Sequence, residues 1–329
     1  MMHGQANSLI GVALLLFLMP IVAGVESRLY PIIDPQSGRF GYISKGGKEI
    51  VTPIYIAGED FSEGLGRVQN SDGKWGYVDG SGAVAIKFLY ESVGDFHQGL
   101  ASVSRGKNFG YINSVGEAII KFNYDKAGEF SEGLAKVILD GKTCYIDVHG
   151  AKVFDSDFDN CGPFSGGLSV IRRSGMAGYM DKNGKVAIKP QYDDAFPFHD
   201  GLAAVISQGK VGFIDERGQF VIQPQYEVGI GFSEGLAGVS KAGKYGYINT
   251  KNDEVIKFQY AGVMPMSGGF AMVTDGMTAF FINNQGVQLG AERFDDALQF
   301  KDGLAFVRKG SKCGYIDGSG KWVYSYELK

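Results

Sequence analysis

Apolar residues along this chain fall in short runs of four to six, rich in β-branched and aromatic side chains and separated by glycine-containing turns. Such runs predict β-strands, and no segment sustains a helical period. In one stretch the predicted strands are residues 202–207, 211–215 and 220–223, followed by an extended link through Tyr226. The same order of strand, turn, strand, turn, strand and link recurs along almost the whole chain, so α-helix is expected to be nearly absent.

Two blocks define the repeat. The first begins at Phe61, Phe96, Phe130, Phe164, Phe198, Phe232, Met266 and Phe300, with a spacing of 35 once and then 34. Its fourth position is always glycine: Gly64, Gly99, Gly133, Gly167, Gly201, Gly235, Gly269 and Gly303. That invariance predicts a place where a Cβ is not tolerated. Leucine or phenylalanine follows, and three residues later valine or isoleucine, both read as core. The second block is an aromatic column, Tyr42, Tyr77, Tyr111, Tyr145, Tyr179, Phe213, Tyr247, Phe281 and Tyr315, preceded by glycine in seven of nine copies. Two residues on stands Asp, Asn or Ser, and three further Gly, or Asn252 in one copy. This is turn chemistry: the side chain accepts backbone N–H groups ahead of it, and the closing residue needs positive φ. A β-branched residue at Gly184 is expected to cost about 1–2 kcal/mol for that reason alone.

A three-stranded meander of 34 residues cannot enclose a core, so neighbouring units must stack into one domain, residues 25–329. The expected fold is all-β, a tandem array of about nine antiparallel meander repeats. A propeller-like ring, which shelters strand edges, is favoured over an open solenoid.

Composition adds the glycine excess, 50 of 329 residues, and excludes some partners. A net charge of −4 leaves no field for nucleic acid. Residues 1–24 carry no Asp, Glu, Lys or Arg, and the run from Leu9 is broken at Pro20. They read as a signal peptide cut before Val25, which makes the chain exported, periplasmic or extracellular, with no membrane span in the mature part. The missing basic start keeps an uncleaved N-terminal anchor as the alternative.

Lys74-Trp75-Gly76-Tyr77-Val78-Asp79, together with Phe61-Ser62-Glu63-Gly64-Leu65, resembles the WG-containing repeat family of bacterial proteins, also called KWG repeats. The resemblance runs from about residue 28 to 329. It departs at the name-giving tryptophan, present only at Trp75, where other copies have Phe40, Phe109, Thr143, Ala177, Val211, Tyr245, Ala279 or Cys313. It implies a β-repeat array and brings no catalytic residues with it.

The repeat accounts for most residues that would otherwise suggest chemistry. Cys144, Cys161 and Cys313 fall in columns of small or packed residues and read as buried thiols, with a Cys144–Cys161 disulfide as the alternative. His97 and His199 occupy a column that is otherwise mostly serine, and His149 precedes a turn glycine. No zinc-ligand spacing, P-loop, dinucleotide fingerprint or calcium loop occurs, so no cofactor or metal is expected. The doublets Asp193-Asp194 and Asp295-Asp296 would point to opposite faces of a strand and do not make a catalytic pair. What is left is surface. Glu91, Asp125, Asp159, Asp193, Glu227 and Asp295 follow one aromatic column, and Lys87, Lys121, Lys189 and Lys257 precede it by three, so stacked units would carry an acidic and a basic stripe. The expectation is a non-enzymatic scaffold of the cell envelope whose acidic rim binds a protein or glycan. A structural envelope component without a ligand and a secreted hydrolase are the alternatives.

Overall fold

A computed structural model describes residues 28–328, so the segment 1–24 read as a signal peptide lies outside the described residues. Every regular element in that range is a β-strand, and the strands form nine small antiparallel sheets, each built from consecutive strands. Numbered in chain order as blades 1–9, beginning with Tyr30–Ile33, they share one pattern, which blade 3 shows in full: Ser92–Val93, Leu100–Arg105, Asn108–Asn113 and Ala118–Tyr124, paired in that order. The stretch read from sequence as a link is therefore two things. The last predicted strand runs on to the aromatic residue, as in Val186–Tyr192, and a two-residue strand, Asp194–Ala195, then opens the next sheet.

The glycine before the aromatic column explains the shape of the fourth strand. Tyr77 pairs with Ile86 but Trp75 with Tyr90, so the fourth strand bulges opposite Gly76. A Cβ on Gly76 would lie 2.5 Å from the Ile86 carbonyl oxygen, and one on Gly41 2.3 Å from that of Val51. Only glycine allows that approach. The two copies that lack it lose the pattern: beside Cys144 the fourth strand is only Lys152–Asp155, and beside Phe280 it is reduced to isolated bridges.

The core is distributed between blades. Nine hydrophobic clusters each straddle two neighbouring sheets, for example Tyr179, Ile188 and Tyr192 of blade 5 with Phe198, Ala203 and Ile214 of blade 6. The column tyrosine packs on the phenylalanine of the following blade, as in Tyr77–Phe96 with centroids 5.0 Å apart. Such a pair adds about 0.5–1.5 kcal/mol beyond the area it buries. The tyrosine hydroxyl donates to backbone there too: Tyr77 to the Gly94 carbonyl at 2.8 Å, Tyr111 to Gly128 at 2.7 Å, Tyr145 to Gly162 at 2.6 Å.

The ninth cluster joins Tyr30, Ile32 and Ile43 of blade 1 to Leu304 and Tyr315 of blade 9, which makes the array a nine-bladed propeller. Among the described residues no strand is exchanged across the seam. Among the described residues, blade 1 has no short first strand and no phenylalanine block, and side chains compensate. In blades 2–9 the residue five positions after the start of that block, which in blade 2 lies against the Phe61 ring, is small: Gly66, Ala101, Ala135, Ser169, Ala203, Ala237, Ala271 and Ala305. In blade 1 it is Tyr30, whose ring meets Tyr315 at 5.6 Å and whose hydroxyl donates to the Asp302 carbonyl at 2.9 Å. Burial, then Asp302, pushes the Tyr30 phenol up to about 12. Tyr315 in turn donates to the Pro31 carbonyl at 2.7 Å, Arg28 pairs with Asp302, and Lys301 reaches Asp60 of blade 2 at 2.8 Å.

Candidate functional site

Alternation of strand direction sends the turn between second and third strands, and the link into each blade, to one rim. The other two connections go to the opposite rim. The acidic column lies on the first rim. All six carboxylates are exposed, and each accepts backbone N–H from the hairpin turn of the blade that it opens: Glu91 from Gly106 at 3.0 Å, Asp125 from Gly141 at 3.0 Å, Asp159 from Ser174 at 2.7 Å. Asp193 accepts from Gly209 at 3.0 Å, Glu227 from Gly243 at 2.9 Å and Asp295 from Gly310 at 2.6 Å. Most of these turns are left-handed at two successive residues, as at Asp140 and Gly141, and their N–H groups need an acceptor. Glu91 also pairs with Lys74 at 2.7 Å, and the lysine holds its carboxyl below the ordinary glutamate value. Lys87, Lys121, Lys189 and Lys257 stand exposed on the fourth strands.

On the opposite rim the loops are linked from blade to blade. Ser62 donates to the Phe96 carbonyl at 2.7 Å, and Glu63 accepts from the N–H groups of Gln98 at 2.7 Å and Gly99 at 2.9 Å. Glu132, Asp200 and Glu234 repeat the second contact on Gly167, Gly235 and Gly269. Burial raises the Glu132 carboxyl, but Lys182 and Gly167 outweigh it and hold it below its ordinary value. The reason for Gly64 and most of its equivalents is conformational rather than steric. Their φ values lie between 77° and 92°, yet a Cβ on Gly64 or Gly99 would meet nothing within 4 Å. The preceding residue is left-handed as well, as at Glu63 and Gln98. The Asx turns behave as read: Asp181 accepts from Asn183 and Lys185 at 2.9 Å, and Asn252 closes its turn at φ 68°.

Three cavities open at the same place in the repeat, beside the segment that joins the first strand to the loop. One of about 500 Å³ lies against His97, Gly128, Glu129 and Pro163. One of about 320 Å³ lies against Phe196, Pro197, Gly231 and Pro265. The third, about 460 Å³, lies at the seam against Tyr30, Met264, Leu298 and Phe300. The residue pairs that precede the phenylalanine block divide this surface into two sectors. In blades 2–4 they are Glu59-Asp60, Gly94-Asp95 and Gly128-Glu129; in blades 6–9 they are Phe196-Pro197, Ile230-Gly231, Met264-Pro265 and Leu298-Gln299. Phe196, Met264 and Leu298 are exposed, Leu298 at 62%.

The acidic sector contains one group of mixed donors. His97 Nε2 lies 3.1 Å from Glu129 Oε2, and Asp95 Oδ1 lies 2.8 Å from Arg67 Nε, with one donor atom of each of Asp95, His97 and Glu129 within 4.8 Å of the others. Sequence reading placed His97 in a serine column and passed over it, because its partners come from columns that vary between blades. The pairs before the phenylalanine were the available signal. The three cysteines are buried and free. Burial raises the thiols of Cys144 and Cys313.

Comparison with known proteins agrees with this architecture. A crystal structure of a eukaryotic initiation factor is similar over 92% of this chain and 96% of its own, with a TM-score of 0.64 at 11% identity. The computationally designed Ika8 protein (TM-score 0.48, 13% identity, 83% of this chain and 96% of its own) and BamB from Moraxella catarrhalis (0.46, 14%, 79% and 90%) are similar at lower scores. At 11% identity the likeness to the initiation factor shows the fold alone. No curated protein matches the chain. The model of the WG containing repeat matches eight times, over residues 40–75, 75–108, 109–142, 145–175, 178–210, 212–245, 245–276 and 281–313, and the chain belongs to that family.

Proposed function

We propose that this chain is an exported, non-catalytic binding module that presents the surface around these three equivalent cavities to a protein partner. The observation that carries this is the division of one ring of equivalent positions. Four successive blades offer exposed or half-buried Phe196, Ile230, Met264 and Leu298, and the blades beyond the seam offer Asp60, Asp95 and Glu129. Contiguous exposed apolar side chains bordered by charge are what a protein partner covers. The favoured partner sets apolar side chains against blades 6–9 and cationic groups against blades 2–4. A glycan fits less well. Sugar rings stack on exposed aromatic faces, and among the described residues Phe196 is the one exposed aromatic side chain. Export rests on the charge-free segment 1–24 with its broken apolar run.

The test is capture and cross-linking from envelope extract with the chain from Val25 onward. A specific partner should be held by the parent protein and lost on the double change Phe196→Asp and Met264→Asp. It should be kept on Lys87→Glu and Lys189→Glu, which alter the fourth-strand surface. Equal loss in both variants, or turnover of a glycan or peptide by the parent chain, would overturn the proposal.

A further inference from the structure

We infer that Asp95, His97 and Glu129 form a binding site for a divalent cation of the zinc class. An imidazole nitrogen and two carboxylates are the donor set such ions take, usually with three protein ligands and an open position. Ligand atoms around zinc sit about 3–3.5 Å apart, given bonds of about 2.0–2.2 Å. His97 Nε2 and Glu129 Oε2 are already at 3.1 Å, and the whole set lies within 4.8 Å. Converging them on one ion requires Asp95 to turn from its contact with Arg67.

The surroundings support an ion here. Arg67 now holds Asp95 at 2.8 Å, but Glu59 stands 4.0 Å from the same guanidinium and Arg67 Nη1 donates to the Val93 carbonyl at 3.2 Å. Arg67 therefore keeps partners if Asp95 turns to a cation. The cavity of about 500 Å³ beside His97 and Glu129 leaves room for water, or a group from a bound partner, in the remaining coordination positions. The molecule also contains its own control. His199 occupies the same repeat position as His97, but Pro197 and Gly231 stand where Asp95 and Glu129 do. The same loop histidine occurs twice, and only one copy is faced by carboxylates.

The experiment is calorimetric titration of the folded chain with Zn²⁺, paired with visible absorption on titration with Co²⁺. One equivalent should bind, with the d–d bands of a low-coordinate cobalt site. His97→Ala and Glu129→Gln should each weaken binding at least tenfold, while His199→Ala should leave it unchanged. Melting of each variant without metal checks that the propeller remains folded, and Glu129→Gln keeps the loop isosteric. Absence of one-equivalent binding, binding that persists in folded His97→Ala, or equal loss in His199→Ala overturns the inference.

Discussion

Tyr30 offers the sharpest test of how this ring closes. It replaces the small residue found at that position in eight blades, and is itself 4% exposed against Tyr315. Tyr30→Ala would return the small residue without supplying the missing ring. Truncating a buried aromatic side chain costs about 3–5 kcal/mol, including the cavity left behind. The hydroxyl bond to Asp302 contributes about 1 kcal/mol of this. With an unfolding entropy of about 2.1 cal/mol/K per residue over roughly 300 residues, a loss of about 4 kcal/mol lowers Tm by about 6 °C. Tyr30→Phe keeps the ring and should lower it by about 2 °C. The assay is calorimetric melting combined with amide hydrogen exchange. In a closed ring, protection should fall on both sides of the seam, in residues 28–55 and 296–327 together. An unchanged Tm with protection lost only in residues 28–55 would mean that blade 1 frays as the end of an open array, and would refute the closure argument.

Other predictions separate causes that look alike in sequence. Gly64→Ala should cost about 1 kcal/mol, since the strain is conformational and the space is open. Gly76→Ala should cost about 2–3 kcal/mol, because its Cβ meets backbone that can move only with the fourth strand; urea unfolding of the two variants compares them. Gly184→Val should exceed the 1–2 kcal/mol of its backbone strain, because a Cβ there lies 2.6 Å from the Phe154 ring. The turn carboxyls of Asp79 and Asp317 are held below their ordinary value, chiefly by the hydroxyls of Ser81 and Ser319. Their contribution is full above about pH 4 and is lost as pH falls through the lowered folded values, so Asp79→Asn with Asp317→Asn should flatten the acid limb of a urea-midpoint profile.

The sequence by itself determined the unit, its turns and its core columns. These are local requirements: a positive φ at Gly184 or Asn252 and a side-chain acceptor at Asp181 are satisfied within a few residues, so each copy states them again. The reason assigned to Gly64 changed once its open surroundings were visible. The role of Gly76 emerged only when the fourth strand was seen to press against it. The tertiary structure decided what no single copy contains. Closure depends on Tyr30 and Tyr315 meeting across 284 intervening positions, and a repeat pattern is the same for a ring and a coil until its ends are brought together. The acidic column was legible as a stripe, yet its engagement with hairpin turns depends on how each link folds back on its blade. The divided cavity surface, and His97 beside Glu129, arise from residues that differ between copies, where column reading has nothing to align and only spatial neighbours give them meaning.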